Sequence, residues 1–323
     1  MPIDWSPFVD LVRKHQRFLI TTHVRPDPDG LGSQLALADA LEGMGRQVQM
    51  VIASSWPPRY TFLDPERRIG HFTPPGEAHR DVEVIVVLDT GTWNQLGDFG
   101  DWMKKSTAKK VCVDHHVTQD DLGGILLKDT SSEATGRLVY ELVQALGQQL
   151  SRKAASCLFA ALATDTGWFR HKNTTSATFV LAEKLTRAGA DPTYLYDAIY
   201  EQNTAARLNL LGLVLQRMRV IEDGKIAYAE VFRDDYEKTG AIPQDTEDAV
   251  GYTRSVMGVE VGVLFLEQPA GGIKVSFRSR RVDVARIAQQ FDGGGHALAS
   301  GATLQGTMAD AQKRVLDAIR QAL

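Results

Sequence analysis

Runs of consecutive apolar residues alternate with amphipathic stretches over the first half of the chain. Four runs are rich in β-branched residues and almost continuously hydrophobic: FLITTHV, VQMVIA, VEVIVVLDT and KKVCVDHH. Such runs are typical of parallel strands that are covered on both faces. Helical patterns lie at about 31–44 and in SSEATGRLVYELVQALG, RKAASCLFAALATD and TTSATFVLAEKLTRAGA. This order predicts an α/β domain over residues 1–190, with an open, mainly parallel sheet and flanking helices.

The pattern changes after residue 190. Residues 193–219 have the pattern of one long helix, which predicts a helical linker over 191–219. Three β-rich runs follow, KIAYAEVF, VEVGVLFLEQ and IKVSFRSR, and then two helical patterns, DVARIAQQF and TMADAQKRVLDAIRQAL. We therefore expect a smaller α+β domain over residues 220–323, in which Asp283 caps the first of these two helices.

Composition narrows the classes of protein that fit. No run approaches the ~18 apolar residues of a membrane span, and the first residues lack the apolar stretch of a signal peptide, which favours the cytoplasm. Cys112 and Cys157 each lie in an apolar run, so we expect two buried thiols rather than a disulfide or a metal pair. The net charge of −4 argues against a protein that coats long nucleic acid through bulk charge.

Acidic residues and histidines cluster where the predicted strands end. One further aspartate ends the apolar helical run RKAASCLFAALATD. The set is His23, Asp27 and Asp29 after the first strand, Asp89 after the third, Asp114, His115 and His116 after the fourth, and Asp165 after the helix. Ligands of open α/β sheets bind beyond the carboxyl ends of the strands, so these side chains are expected to meet in one crevice.

Each acidic residue also has a plain structural explanation. Asp29 could cap the helix that starts near Leu31, and Asp165 could simply end its helix. Together, however, crowded carboxylates would raise one another's pKa unless cations neutralise them. Carboxylate and imidazole ligands suit Mn²⁺ well, and Mg²⁺ or Co²⁺ acceptably, whereas the lack of a cysteine cluster argues against structural zinc. This set contains more ligands than one ion needs, and it fits two ions that share a bridging carboxylate. Such an arrangement is typical of phosphate-ester hydrolysis.

The ordered motifs resemble those of the DHH phosphoesterases. They are HVRPDPDGLGS, DT at 89–90, DHH at 114–116 and TDTGWF at 164–169, followed by RSR at 278–280 and FDGGGHALASG at 291–301. The last two are similar to motifs of the DHH-associated C-terminal domain. Within the family, the chain is most similar to the nano-RNase branch, whose members also act on 3′-phosphoadenosine 5′-phosphate.

The resemblance implies a role for each clustered residue. One ion would be held by His23, Asp27 and Asp89. The other would be held by Asp29, Asp89, His115 and Asp165, so that Asp89 bridges the two. The catalytic pair would be Asp114, which orients its neighbouring histidine, and His116, which faces the substrate phosphate.

In the C-terminal domain, the resemblance favours Arg278 and His296 as substrate-binding residues. Gly293, Gly294 and Gly295 precede His296, and successive glycines permit an anion-binding nest, although a flexible turn between helix and strand is the more ordinary explanation of the glycines taken alone. The chain departs from many relatives at Gln95, Asp292 and Ser300, and the last two bear on how the glycine segment meets the substrate.

These features predict a two-metal phosphodiesterase acting on short single-stranded oligonucleotides or nucleotide phosphates, with no membrane association. Alternatives with the same metal site are a phosphodiesterase for cyclic or linear signalling dinucleotides, an enzyme acting chiefly on a mononucleotide bisphosphate, and an inorganic pyrophosphatase. A non-catalytic nucleotide-binding regulator is the alternative from another class. The residues leave open the polarity of cleavage, the choice of RNA or DNA, and whether the chain forms a homodimer.

Overall fold

The apolar runs of the first half form neighbouring strands of one sheet in the computed structural model, which describes residues 3–269 and 271–323. The strands are β1 (Arg17–Thr21), β2 (Gln47–Ile52), β3 (Ile69–His71), β4 (Val84–Leu88), β5 (Lys109–Asp114) and β6 (Ile125–Lys128). Their order is β3-β2-β1-β4-β5-β6, and every neighbouring pair is parallel. The predicted open parallel sheet is confirmed. The short edge strands β3 and β6 were not expected.

Helices cover both faces of this sheet. The helices of this unit are α1 (Ser6–Lys14), α2 (Pro28–Gly43), α3 (Gly97–Lys105), α4 (Thr135–Ala145), α5 (Arg152–Asp165), α6 (Ser176–Arg187) and α7 (Pro192–Tyr200), of which α6 and α7 pack on α5. Helix α2 packs closely on α5 at Gly32, where a side chain would not fit. A Cβ atom there would lie 2.3 Å from the carbonyl oxygen of Cys157. This close approach holds the start of α2 and the end of α5 near the same edge of the sheet.

The predicted linker helix is wrong in one respect. Instead of one helix over 193–219, the chain forms α7 and then α8 (Ala205–Gln216). The backbone leaves the helical region at Glu201, and Thr204 starts the next helix by accepting a hydrogen bond from the Arg207 N–H at 3.1 Å. The chain divides into two compact units, Met1–Gln202 and Asn203–Leu323, while the functional boundaries at 190 and 220 stay predictions.

The second unit is built on a mixed six-stranded sheet in the order β11-β12-β10-β9-β8-β7. Its strands are β7 (Arg219–Ile221), β8 (Ile226–Val231), β9 (Val261–Glu267), β10 (Ile273–Ser279), β11 (Gly294–His296) and β12 (Ala299–Leu304). Its further helices are α9 (Arg233–Thr239), α10 (Ala249–Ser255), α11 (Val284–Gln289) and α12 (Met308–Ala322). This arrangement confirms the predicted smaller α+β domain.

Two apolar clusters fill the two faces of this second sheet. Side chains of β9 and β10 pack with α11 and α12 on one face, and α8 and α10 pack over β8 and β9 on the other. Asp283 caps α11 as expected, since its carboxylate accepts from the N–H groups of Ala285 and Arg286. Arg217, just after α8, forms a bidentate ion pair with the buried Asp235 of α9.

The remaining elements are short 3₁₀ helices at Pro58–Leu63, Glu77–His79, Trp93–Gln95 and Pro243–Thr246. Both cysteines are buried free thiols, as the apolar runs around them predict. Across residues 3–269 and 271–323, no helix combines the length and the hydrophobicity needed to cross a bilayer.

Candidate metal centre and phosphate-binding face

The carboxyl ends of three adjacent strands bring the N-terminal candidates together. His23 lies just beyond β1, Asp89 directly follows β4, and Asp114 is the last residue of β5. Strands β1, β4 and β5 are neighbours, so these positions share one edge of the sheet. The start of α2 adds Asp27 and Asp29, and the end of α5 adds Asp165.

Three side chains form the first donor set, which we call the His23 group: His23, Asp27 and Asp89. The His23 Nδ1 atom lies 3.0 Å from the carbonyl oxygen of Val24, so this nitrogen donates and Nε2 points into the group. Nε2 lies 3.4 Å from Asp89 Oδ2 and 3.8 Å from Asp27 Oδ1. Burial alone would lower the pKa of His23, but the two carboxylates outweigh it and raise that pKa to about 10.

Asp27, and not Asp29, caps helix α2. Its Oδ1 atom accepts hydrogen bonds from the backbone N–H groups of Asp29 and Gly30 at 3.0 and 3.2 Å. Pro28 lies in the first turn of α2, where backbone N–H groups have no acceptor within the helix, so the proline costs no helical hydrogen bond. The alternative that Asp29 merely caps its own helix is therefore wrong, and the Asp29 side chain is free to reach a different element.

The second donor set, the His115 group, contains Asp29, His115 and Asp165. His115 Nδ1 lies 3.1 Å from the Ser132 carbonyl oxygen, which leaves Nε2 facing the carboxylates. Nε2 is 3.4 Å from Asp165 Oδ2 and 3.8 Å from Asp29 Oδ2. These distances are too long for hydrogen bonds, and this buried nitrogen has no hydrogen-bond partner in the described part of the chain.

Asp89 faces both groups with different oxygen atoms. Oδ2 is the atom near His23, whereas Oδ1 lies 3.6 Å from His115 Nε2. The residue is buried and adopts φ +62°, a conformation that costs a non-glycine residue about 1–3 kcal/mol and persists only where the surroundings hold it. Its N–H donates to the Val113 carbonyl at 3.0 Å. The backbone thus presents one carboxylate to two donor sets.

Repulsion between the crowded carboxylates favours the binding of cations in this cluster. Burial, reinforced by the charges of neighbouring aspartates, raises the pKa of Asp29 well above its ordinary range. The same causes raise the pKa of Asp165 to about 8. Divalent ions fit these surroundings, in which a buried nitrogen without a partner faces crowded carboxylates. Two ligand atoms bound ~2.1 Å from one ion lie at most ~4.2 Å apart. The distances of 3.4 and 3.8 Å from His115 Nε2 to the two carboxylates are within this limit. The donor atoms of each group all lie within 4.8 Å of one another.

Asp114 orients His116, while His115 is held by Ser132 as described above. The Asp114 Oδ1 atom accepts from the backbone N–H of His116 at 3.1 Å and lies 2.9 Å from His116 Nδ1. Its hydrogen bond is the main reason that the pKa of His116 is raised. Asp114 Oδ2 pairs with Lys128 Nζ at 3.1 Å, across the register that places Lys128 opposite Asp114 on β6. The orientation of the half-exposed His116 ring is therefore fixed by Asp114, which is itself held by Lys128.

Two residues at the start of α4 complete the centre, and the sequence patterns did not reveal them. The N–H groups of Thr135 and Gly136 each donate to an Asp29 carboxylate oxygen at 2.8 Å. The Thr135 hydroxyl also donates to Asp89 Oδ1 at 2.9 Å. Asp29 thus caps a helix far away in the sequence. A single threonine opening a helix carries no chemical signal, so only the tertiary structure identifies it.

In the C-terminal unit, the sheet register aligns two predicted substrate-binding residues. Ala299 on β12 pairs with Arg278 on one side and with His296 on the other. Directly paired residues share a face of a sheet, and strands lie ~4.8 Å apart, so Arg278 and His296 stand on one face about 10 Å apart.

Most of the glycine segment lies in a strand rather than in a flexible turn. Gly294 and Gly295 belong to the edge strand β11 and pair with Gly301 and Ser300. A Cβ atom at Gly293 would lie 2.3 Å from the Gly301 carbonyl oxygen, and Gly295 adopts φ +137°. The glycines are therefore needed for close strand packing, and Gly294 and Gly295 do not form the expected turn, while the substrate-binding role of Gly293, Gly294 and Gly295 stays a prediction.

Comparison with known proteins agrees with this architecture. Residues 17–162 match the model of the DHH family, N-terminal domain, and residues 223–323 match the DHHA1 domain. The chain is 33% identical over 306 residues to the bifunctional oligoribonuclease and PAP phosphatase NrnA of Thermus thermophilus, covering 94% of this chain and 89% of the relative. It is 30% identical over 305 residues to the protein of the same name from Bacillus subtilis, covering 93% of each.

A solved structure shares the whole fold. The exopolyphosphatase-related protein from Bacteroides fragilis superposes with a TM-score of 0.93 at 26% identity, over 99% of this chain and 97% of that one. The resemblance drawn from the ordered motifs is confirmed: this chain belongs to the DHH family, with a DHHA1 domain in its C-terminal part.

Proposed function

We propose that the chain is a metal-dependent phosphoesterase that hydrolyses short oligonucleotides, in the manner of a nano-RNase, and 3′-phosphoadenosine 5′-phosphate. The observation that carries this proposal is the position of Asp89, which belongs to the His23 group and also lies 3.6 Å from Nε2 of His115 in the other group. Two-metal sites of this kind serve phosphate-ester hydrolysis. The relatives named for oligoribonuclease and PAP phosphatase activity align with nearly the whole chain.

Two divalent ions, with Mn²⁺ favoured by the mixed oxygen and nitrogen ligands, would occupy the His23 and His115 groups. When bound, such ions neutralise phosphate charge and make water a better nucleophile at neutral pH. The role of the chain is to hold the ligands in place. Val24 and Ser132 fix the two histidine tautomers through their carbonyl oxygens, and Thr135 orients Asp89.

His116 is the residue we assign to the substrate phosphate. Its Nδ1 atom is bound to Asp114, and its side chain is 49% exposed, so Nε2 is available to a phosphoryl oxygen. The raised pKa favours the imidazolium form, which donates a charge-assisted hydrogen bond. Held by Asp114 and, through it, Lys128, the ring is preorganised where negative charge would develop.

In the C-terminal unit, Arg278 and His296 are assigned to the terminal phosphate or nucleotide of the substrate. Arg278 is partly buried, and burial lowers its pKa, but a guanidinium stays charged in proteins. A planar guanidinium binds a phosphate through two parallel hydrogen bonds. Cytoplasmic location stays a prediction for this protein, and whether the chain forms a homodimer stays open.

The test offers the wild-type protein, with Mn²⁺ and then with Mg²⁺, a set of substrates side by side. The set contains di- to decanucleotides, linear and cyclic signalling dinucleotides, 3′-phosphoadenosine 5′-phosphate and pyrophosphate. The proposal predicts release of mononucleotides, fastest from oligomers of two to five nucleotides, together with hydrolysis of the bisphosphate. Turnover of cyclic dinucleotides or pyrophosphate alone would replace it by one of the alternatives, and binding without turnover of any substrate would indicate a regulator.

A further inference from the structure

One half of a sheet face in the C-terminal unit consists of exposed and half-buried residues, and among the residues that the structure describes only helix α10 reaches its edge, at β10. We call it the open face and define it by eight residues on three strands: Lys274, Ser276 and Arg278 on β10, Ala299, Gly301 and Thr303 on β12, and Gly294 and His296 on β11. The cross-strand register places them on one side of the sheet. The alternate residues of β10 and β12 lie in the core beneath α11 and α12.

The open face has the shape of a shallow trough. Its middle strand, β12, presents only the small side chain of Ala299 between Arg278 and His296, and only Gly301, which has no side chain, between Ser276 and Gly294. Lys274 and Thr303, which pair with each other, are both exposed at the far end of the same strands. A ligand lying along β12 would therefore contact backbone and small side chains at its centre and polar side chains at its sides.

The charge of this face has one sign. Among its eight residues are a lysine, an arginine and a histidine, and no carboxylate, although the chain as a whole carries a net charge of −4. Two opposite charges border this face near Arg278: Asp248, whose charge acts on Arg278, and Arg254 at the end of α10, whose backbone lies against Gly262, the residue paired with Arg278 on β9. Such a face is complementary to a ligand with several negative charges.

We propose that the open face binds the phosphate backbone of an oligonucleotide along β12, with a second phosphate subsite formed by Lys274 and Thr303. Lys274 lies four residues from Arg278 on one strand, which separates their Cα atoms by about 13–14 Å at ~3.4 Å per residue. That distance is longer than a single nucleotide step, so a ligand anchored at Arg278 reaches Lys274 only if it continues for further nucleotides. The proposal rests on the proposed function and adds where the longer substrates bind.

The experiment compares Lys274→Ala with the wild type on substrates of increasing length. For a tetranucleotide, KM should rise up to about fivefold with kcat unchanged, as expected for the loss of one exposed charged contact. For 3′-phosphoadenosine 5′-phosphate and for a dinucleotide, both constants should stay at the wild-type values. Lys274→Arg keeps the charge and should restore the tetranucleotide KM.

A binding assay separates this proposal from the proposed function. Anisotropy of a labelled phosphorothioate tetranucleotide measures affinity whether or not the chain cleaves it. In Lys274→Ala, the slope of log K against log salt should be less steep by about 0.7, the contribution of one phosphate contact to single-stranded nucleic acid. Lys313→Ala is the matched control, because Lys313 is an exposed lysine on α12, which covers the opposite face.

The outcomes are distinct. A smaller salt slope in Lys274→Ala but not in Lys313→Ala supports the subsite even if no oligonucleotide is hydrolysed, a result that would refute only the proposed function. An unchanged tetranucleotide affinity and salt slope in Lys274→Ala would overturn the subsite. An equal loss for short and long ligands would overturn it as well, since Lys274 would then contact the first nucleotide.

Discussion

Replacing Lys128 by methionine should destabilise the N-terminal unit more than the loss of any ordinary surface lysine. The Lys128 Nζ atom lies 2.8 Å from the Thr118 carbonyl oxygen, 2.9 Å from Gln119 Oε1 and 3.1 Å from Asp114 Oδ2. Its side chain is 11% exposed, and that of Asp114 is fully buried. The ammonium group thus donates two hydrogen bonds and forms an ion pair with Asp114, and the variant would leave a buried carboxylate without this cation.

The expected magnitude follows from this burial. Breaking a buried ion pair by removing one partner costs about 3–5 kcal/mol. Burial raises the pKa of Asp114, but its hydrogen bonds with His116 and Lys128 outweigh burial and hold that pKa below the usual range. Because the contact with His116 persists in Lys128→Met, we expect a loss near the low end, about 3 kcal/mol.

Urea denaturation followed by tryptophan fluorescence measures this loss selectively, because all five tryptophans lie in Met1–Gln202. The control is Lys153→Met, whose partner Glu66 is 67% exposed at 3.1 Å, and whose loss should stay below about 1 kcal/mol. The double variant Asp114→Asn with Lys128→Met should recover part of the loss, since the unpaired charge is gone. Equal losses in Lys128→Met and Lys153→Met would refute the reasoning.

Three further predictions concern the metal centre, substrate binding and stability. Thr135→Val should weaken Mn²⁺ binding about 10- to 100-fold in calorimetry, because the shared carboxylate loses its orienting hydroxyl; unchanged affinity would contradict this. Arg278→Ala and His296→Ala should bind Mn²⁺ like the wild type yet lose roughly 10- to 150-fold in kcat/KM on dinucleotides, and loss of metal in either would move that residue to the metal centre. The hydrogen bonds from Arg217 hold the pKa of Asp235 below its ordinary 3.8. In thermal unfolding at neutral pH, Asp235→Asn should therefore lose about 1.5–3 kcal/mol of the free energy of unfolding. The variant should approach the stability of the wild type as the pH falls below 3.8 and through the lowered pKa, because the wild-type carboxylate is then protonated. A difference that persists unchanged at acid pH would show that the charge of this carboxylate is not the cause.

The parts of the fold that rest on long apolar runs could be predicted from the sequence. Strands β1, β4 and β5 are buried on both faces, so their composition identifies them, and the polar residues after them necessarily share an edge of the sheet. That rule, with the ordered motifs, brought all six expected metal ligands to one edge of the sheet, in the His23 and His115 groups, and Asp89 of the first group also forms a third possible donor group with His115 and His116. Their role as ligands is still a proposal.

What could not be predicted depends on contacts between distant residues. Strand β6 is short and only partly buried, so its pattern is weak, and the pairing of Lys128 with Asp114 could not be foreseen. The break between α7 and α8 is set by Thr204 capping, which competes with a continuous apolar pattern. The glycine segment becomes strand β11 only because β12 pairs with it.

Counting the metal ions held by Asp89→Ala tests the central claim most directly. Calorimetric titration of the metal-free wild type with Mn²⁺ should give two ions per chain, and His23→Ala should retain the one held by the His115 group. Asp89→Ala should bind both ions much more weakly, because one oxygen of its carboxylate faces each group. If Asp89→Ala still binds two Mn²⁺ ions as tightly as the wild type, Asp89 is not the shared ligand and the two-metal account is wrong.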